Sequence, residues 1–298
     1  MKKTINLLLL LVFTAVLSAE AKGEYGFKML TIDTGAAIAA LGGTGAFSTQ
    51  DAFAPLSNPS ASLLNQGKTI SVTQNYWIFD TSLTSIGYVS STGNKAMGIY
   101  LRQLDYGKFQ ERDDSGELIG EFHPIDLVMT LNVSYRIKPD HYLGADVSAL
   151  YEKIDNASSL GGAISIGYVY FTPLRGIKVA AALKHLGYTS TMNEENIKLP
   201  VNGELSLIKD WEFEICNIAA EIKAMQNIDD EQVKAVIGLN SVLYDRLSLR
   251  LAYRLNYDAE DFSAGLGFRF RNFQLDYAYI PFDFEIEDVH IIGLSYHF

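Results

Sequence analysis

The chain has 298 residues, a formal net charge of −11 and one cysteine, Cys216, which excludes an internal disulfide framework and a thiolate metal cluster. The acidic balance argues against nucleic acid as a partner. Aromatic content is high, with 17 Tyr and 16 Phe, a mixture found in barrels that alternate lipid-facing and water-facing positions and also in aromatic-rich soluble β proteins.

The chain opens with Lys2-Lys3, an apolar run from Leu7 to Leu17, and Ala19-Glu20-Ala21. That order predicts a secretory signal peptide over residues 1–21: a charged start, a short apolar core and small residues at the cleavage site. The run is too short to cross a bilayer as a helix, and no later segment reaches the roughly 20 apolar residues required. No cysteine sits at the cleavage site, so a lipoprotein anchor is not expected.

Residues 22–67 show no strand rhythm. Small residues fill Gly35 to Gly43, including Gly42, and Asn58-Pro59-Ser60-Ala61 follows. This reads as a short helix or tight coil and then a turn. Ahead of a barrel, such a segment is a periplasmic extension or a plug folded into the lumen. Gly42-Gly43-Thr44-Gly45 lacks the βαβ unit and the lysine of a nucleotide loop.

Strand patterns then run to the end of the chain, and residues 68–298 are predicted to form the barrel. Fourteen strands are expected, the first five at 69–77, 82–90, 95–104, 125–137 and 142–154. The next five are 163–171, 177–186, 203–209, 212–224 and 233–239. The last four are 247–255, 262–270, 273–280 and 290–298. The hairpin from Ile125 to Tyr151 states the rule most clearly. Leu127, Met129, Leu131, Val133 and Tyr135 alternate with Asp126, Val128, Thr130, Asn132 and Ser134, a face polar at all positions but one. Period two over thirteen residues is strand, and each arm is long enough to span a membrane. By itself the hairpin fits lipid outside and a polar lumen inside, or a soluble sandwich. In the strand predicted at 212–224, Phe213 and Ile215 share one parity and Ile218, Ala220 and Ile222 the other. A β-bulge near Cys216-Asn217 or a misplaced boundary would each account for that.

The connections decide between barrel and sandwich. Gaps facing one way, such as 105–124, 188–202, 225–232 and 281–289, are long or acidic. Gaps facing the other, such as 138–141, 172–176, the corner at 209–211 and 271–272, are short and mostly basic. Long outer loops and short inner turns are the pattern of an outer-membrane barrel. The last strand adds Ile292, Leu294, Tyr296 and Phe298 in alternation, resembling the signal that barrel-assembly machinery reads. Fold class is therefore expected to be all-β: a transmembrane antiparallel barrel in the bacterial outer membrane, in contact with its lipid.

Candidate chemistry is sparse. His123, His141, His185, His290 and His297 form no close-spaced metal pair. No nucleophile elbow or Ser-His-Asp set stands out, and Asp113-Asp114 and Asp229-Asp230-Glu231 lack the ordered spacing of a calcium loop. No enzyme, metal or cofactor is expected. Arg102, Arg136, Arg250, Arg254 and Arg269 fall on lumen parity with Asp126, Asp146 and Asp276. They read either as a polar conduit or plug-binding wall, or as interior charges that satisfy one another.

Gly35 through Gly42-Gly43 and then Asn58-Pro59 resemble the N-terminal signature of the PorV/PorQ family, which is itself similar to FadL-type fatty acid transporters. Tyr106 to Phe109, Asp113, Gly116, Gly120 and Phe122 resemble its loop after the third strand. Leu275 to Tyr279 and Leu294 to Phe298 resemble its last two strands. The chain departs from the family at Ala37-Ile38, where an arginine is usual, at Gln50-Asp51 and at Pro59-Ser60. The resemblance implies an Asn-Pro turn within a plug or hatch, and a docking or shuttle role in type IX-like secretion with a translocon and its cargo as partners. The alternatives are a FadL-like channel for hydrophobic small molecules and a structural outer-membrane protein.

Overall fold

The structure, a computed structural model, describes residues 25–192, 197–228 and 232–298. The predicted signal peptide and the Asp229-Asp230-Glu231 run lie outside the described residues.

Fourteen strands close into one antiparallel barrel. They are β1 (Gly67–Tyr76), β2 (Ser82–Thr92), β3 (Lys95–Asp105), β6 (Ile125–Lys138), β7 (His141–Ile154), β8 (Ala157–Phe171) and β9 (Ile177–Thr189). The wall continues through β10 (Asn202–Glu212), β11 (Cys216–Asn227), β12 (Lys234–Leu243), β13 (Leu247–Leu255), β14 (Phe262–Phe270), β15 (Phe273–Ile280) and β16 (Val289–His297). Each strand pairs with its neighbour along the chain, β3 pairs with β6, and β1 closes on β16. Between β3 and β6 a separate hairpin, β4 (Phe109–Arg112) with β5 (Leu118–Phe122), rises from the longest connection.

Alternation sets the two faces of this wall. In β6, Asp126, Val128, Thr130, Asn132 and Ser134 are buried, while Leu127, Met129, Leu131, Val133 and Tyr135 are 39–50% exposed. The apolar exterior continues around the barrel through Ile86, Ile99, Leu249, Leu266 and Leu294. No soluble sandwich leaves so continuous an apolar belt in water. It is the lipid-facing surface of a membrane-spanning barrel of the outer-membrane type.

One end of the barrel carries the short turns at 93–94, 139–140, 172–176, 213–215, 244–246 and 271–272, together with the start of β1 and the end of β16. The opposite end carries the β4–β5 hairpin and the connections 190–201 and 281–288. An epitope inserted at Ser115, in the turn of that hairpin, should be labelled on intact cells, whereas one at Pro139 should not. Reversed labelling would invert the orientation.

Several boundaries differ from the sequence expectation. Glu212 belongs to β10, and Phe213 to Ile215 make a turn closed by the Phe213 N–H on the Cys216 carbonyl at 2.9 Å. The parity change there is a misplaced boundary, and no register shift occurs between β10 and β11. The corner expected at 209–211 is therefore inside a strand. A bulge does occur in β9, where the pairs Ile164–Leu186 and Ile166–Leu183 leave one extra residue on the β9 side. His185 absorbs it with a φ of 62°. β8 starts six residues earlier than expected, so its connection to β7 is only Asp155-Asn156.

Candidate functional site

The segment before β1 meets the inward side chains of the wall, and the functional question is what lies between the two. Gly35 caps a one-turn helix, Ala36–Ala39, from a φ of 92°. Gly42 and Gly43 end the turn at φ 63° and 82°, a region that a Cβ disfavours. The small residues this run requires let its backbone approach the wall. Ala36, Ala39 and Ala40 pack on Ala278, Ile280 and Ile291, and Ser263 Oγ donates to the Ala40 carbonyl at 3.1 Å.

The following residues are tied to strand after strand. Lys223 Nζ donates to the Gly43 carbonyl at 2.5 Å, and the Gly45 N–H donates to Glu221 Oε2 at 2.9 Å. Lys178 Nζ reaches the Phe47 carbonyl at 3.0 Å, and Asn240 Nδ2 reaches that of Ser48 at 2.8 Å. Asp51 is buried and accepts from the Phe53 N–H at 2.9 Å; burial pushes its carboxyl up to about 7.

Asn58 and Pro59 occupy the most specific seat. The Asn58 side chain accepts from the Ser60 N–H at 3.1 Å and donates to the Ala181 carbonyl at 3.1 Å. The Pro59 carbonyl accepts from Asn132 at 2.9 Å and Ser134 at 2.7 Å. Beneath the turn, Gly144 and Gly167 face each other across β7 and β8. A Cβ on either would overlap Pro59 backbone atoms.

The lumen charges divide into two sets. Arg250 pairs with Asp276 at 2.7 Å within the wall. Arg102 instead donates to Thr34 Oγ1 at 3.3 Å, and Arg254 lies 3.5 Å from Asp33, so β3 and β13 hold adjacent residues of the pre-barrel segment. Asp126 accepts from the Tyr106 hydroxyl at 3.0 Å. Arg136 is exposed at the short-turn end, where it donates to the Tyr142 hydroxyl at 2.9 Å, so it is not among the deeply buried lumen charges. Its strand has passed the occluded region at that point. Ile292, Leu294, Tyr296 and Phe298 all point outward, in β16 and just past its end.

Two groups of residues escaped the sequence reading. Lys184 Nζ lies 2.7 Å from Glu204 Oε1, and Lys223 Nζ lies 3.5 Å from Glu204 Oε2, which joins β9, β10 and β11 inside the barrel. Each falls inside a predicted strand, and only the pairing of β9, β10 and β11 brings the three together. The second group is an apolar patch on the inner wall at the long-loop end: Leu83, Leu104, Val128, Leu150 and Ala163, from five consecutive wall strands. Val128 was visible in the sequence as the apolar exception on a polar face. The patch is covered by Phe27, Met29, Leu30 and Ile32, with Leu199 from the loop above. Beside it lies a polar cavity of about 200 Å³, lined by Asp146, Lys184, Glu204 and Arg254 and also by Leu30 and Ile32 of that cover.

No protein-family model matches the chain, and no curated protein matches it. Among solved structures, the Pseudomonas putida toluene transporter TodX is similar over 89% of this chain and 98% of its own, with 14% identity and a TM-score of 0.62. A Pseudomonas aeruginosa FadL homologue is similar over 85% and 96%, with 12% identity and a TM-score of 0.54. At these identities the likeness is one of fold: the chain has the architecture of FadL-type outer-membrane barrels.

Proposed function

We propose that this protein is a gated passage for small hydrophobic molecules across the outer membrane, with the pre-barrel segment as its gate. The observation that carries the reading is the apolar patch of Leu83, Leu104, Val128, Leu150 and Ala163, which five consecutive strands present to the lumen at the long-loop end. A passage for water-soluble solutes has no use for such a patch, because apolar wall gains nothing from a polar solute. A hydrophobic solute entering at the long-loop end would exchange with Phe27, Met29, Leu30 and Ile32. One apolar contact replaces another, so little free energy separates the covered and the loaded states.

The exit we assign lies beside the bulge. The ladder between β9 and β10 stops at Lys184–Asn202, while β9 continues to pair with β8 as far as Thr189. That notch in pairing is where the solute would leave sideways toward lipid. The likeness of fold to a toluene transporter supports this reading over the docking role implied by the PorV/PorQ resemblance, which draws on short motifs alone.

Uptake of a labelled monoaromatic hydrocarbon by intact cells expressing the protein tests the proposal. A carboxylate in the patch, Val128→Asp or Leu150→Asp, should cut the protein-dependent initial rate by about tenfold, since a solute would have to lie against an unpaired charge. Heat-modifiable migration on gels would show that the variants remain folded. If cells with and without the wild-type protein take up the compound equally, the passage reading fails.

A further inference from the structure

Charge is sorted between the two ends of the barrel. In the turns and strand tips at the short-turn end, basic residues outnumber acidic ones about two to one. At the long-loop end, acidic residues outnumber basic ones about three to one among the described residues.

Part of the basic excess is held against outward-facing rings near the short-turn end. Lys95 Nζ stands 5.5 Å from the centre of the Tyr135 ring, and Lys209 Nζ stands 5.6 Å from that of Trp211. The Arg271 guanidinium stands 5.4 Å from the Phe270 ring. All three rings are exposed and lie on the lipid-facing parity of their strands. Aromatic rings of this kind sit at the boundary between hydrocarbon and headgroups. A cation held over such a ring is therefore held at the level of lipid phosphate. At the long-loop end, both cation–π pairs among the described residues involve Tyr257, which lines the lumen cavity.

We propose that Lys95–Tyr135, Lys209–Trp211 and Arg271–Phe270 are binding stations for anionic phospholipid headgroups in the leaflet at the short-turn end. Each offers an ammonium or guanidinium to the phosphate and a ring face to the upper acyl chain. Glu212 and Glu214 flank Trp211 and weaken its station; Lys209 Nζ donates to the Arg175 carbonyl at 2.6 Å, which ties the ammonium to the neighbouring short turn. Lys95 and Arg271 have no acidic neighbour in their own turns; the turn beside the second, whose Arg246 carbonyl accepts from the Arg269 N–H at 2.8 Å, carries both Asp245 and Arg246.

The full-length protein, reconstituted with equal phosphatidylglycerol and phosphatidylcholine and then extracted, can be assayed for retained lipid by native mass spectrometry. The wild type should hold phosphatidylglycerol in preference by about tenfold at low salt, as a cation at the headgroup level of each station predicts. The combined variant Lys95→Gln, Lys209→Gln, Arg271→Gln should fall to near parity, while Lys95→Arg, Lys209→Arg, Arg271→Lys should keep the preference. High salt should erode it in the wild type. Equal retention of both lipids by the wild type, a preference indifferent to salt, or full preference in the glutamine variant would each overturn the assignment.

Discussion

Removing residues 22–67 should turn a barrel of negligible conductance into one that passes large, steady currents in planar bilayers. Two cavities between the pre-barrel segment and the wall have volumes of about 200 Å³ and about 10 Å³. A wall of fourteen strands is far wider than the eight-stranded case, in which side chains alone fill the interior, so the segment has to account for the difference. Current should rise by roughly tenfold or more once it is gone, because the exposed lumen is polar and would fill with water. Heat-modifiable migration should persist, since the wall ladder is complete without the segment. A steady large conductance from the intact chain would refute the idea that these residues close the lumen.

Gly144→Val should have the next largest effect and should act on the gate while sparing the wall. The new side chain would lie on the lumen face at the point where the Pro59 carbonyl rests. Neither β7 nor a proline-fixed turn can shift cheaply, so overpacking would cost roughly 1–3 kcal/mol. Lifting the turn also forfeits the bonds from Asn132 and Ser134. The expected outcome is frequent channel opening and faster proteolysis within 26–65, with heat-modifiable migration unchanged. Gly167→Val should behave alike, being the cross-strand partner. Gly162→Val provides the control, because its Cβ would point outward with nothing nearer than 3.7 Å. Equal behaviour of Gly144→Val and Gly162→Val would show that the glycine seat does not hold the turn.

The barrel was legible from the sequence because period-two alternation survives through most of the wall, and because loop lengths sort by end. What escaped was whatever depends on register. β8 begins at Ala157, but Gly161-Gly162 interrupts its apolar rhythm and concealed six residues of strand. The β4–β5 hairpin is short and wholly outside the wall, so it carries no alternation to detect. The true bulge at His185 did leave a trace, since Val179, Ala181 and Leu183 change parity to Leu186 and Tyr188. The false one near Cys216 left a similar trace for a different reason: a turn flanked by apolar residues. Parity alone cannot separate the two. The Asn58-Pro59 turn was readable from composition, but its seat was not. Gly144 and Gly167 become neighbours only through pairing of strands, and nothing local to either residue announces that.

The pairing of β1 with β16 has a kinetic consequence. Every other contact in the wall joins strands that follow one another or are separated only by the β4–β5 hairpin, whereas Thr69 meets His297 across 228 positions. Closing so long a loop is the slow, entropically expensive step of building the cylinder. The residues that lead into β1 are the same ones held by Ser134 in β6, Glu221 in β11, Asn240 in β12 and Ser263 in β14. A curled, still-open sheet that grips this leader keeps the first strand close to where the last must arrive. The effective loop is then much shorter than the chain. On this view the leader works as a strap during assembly, and its loss would slow closure of the cylinder far more than it would hasten reopening.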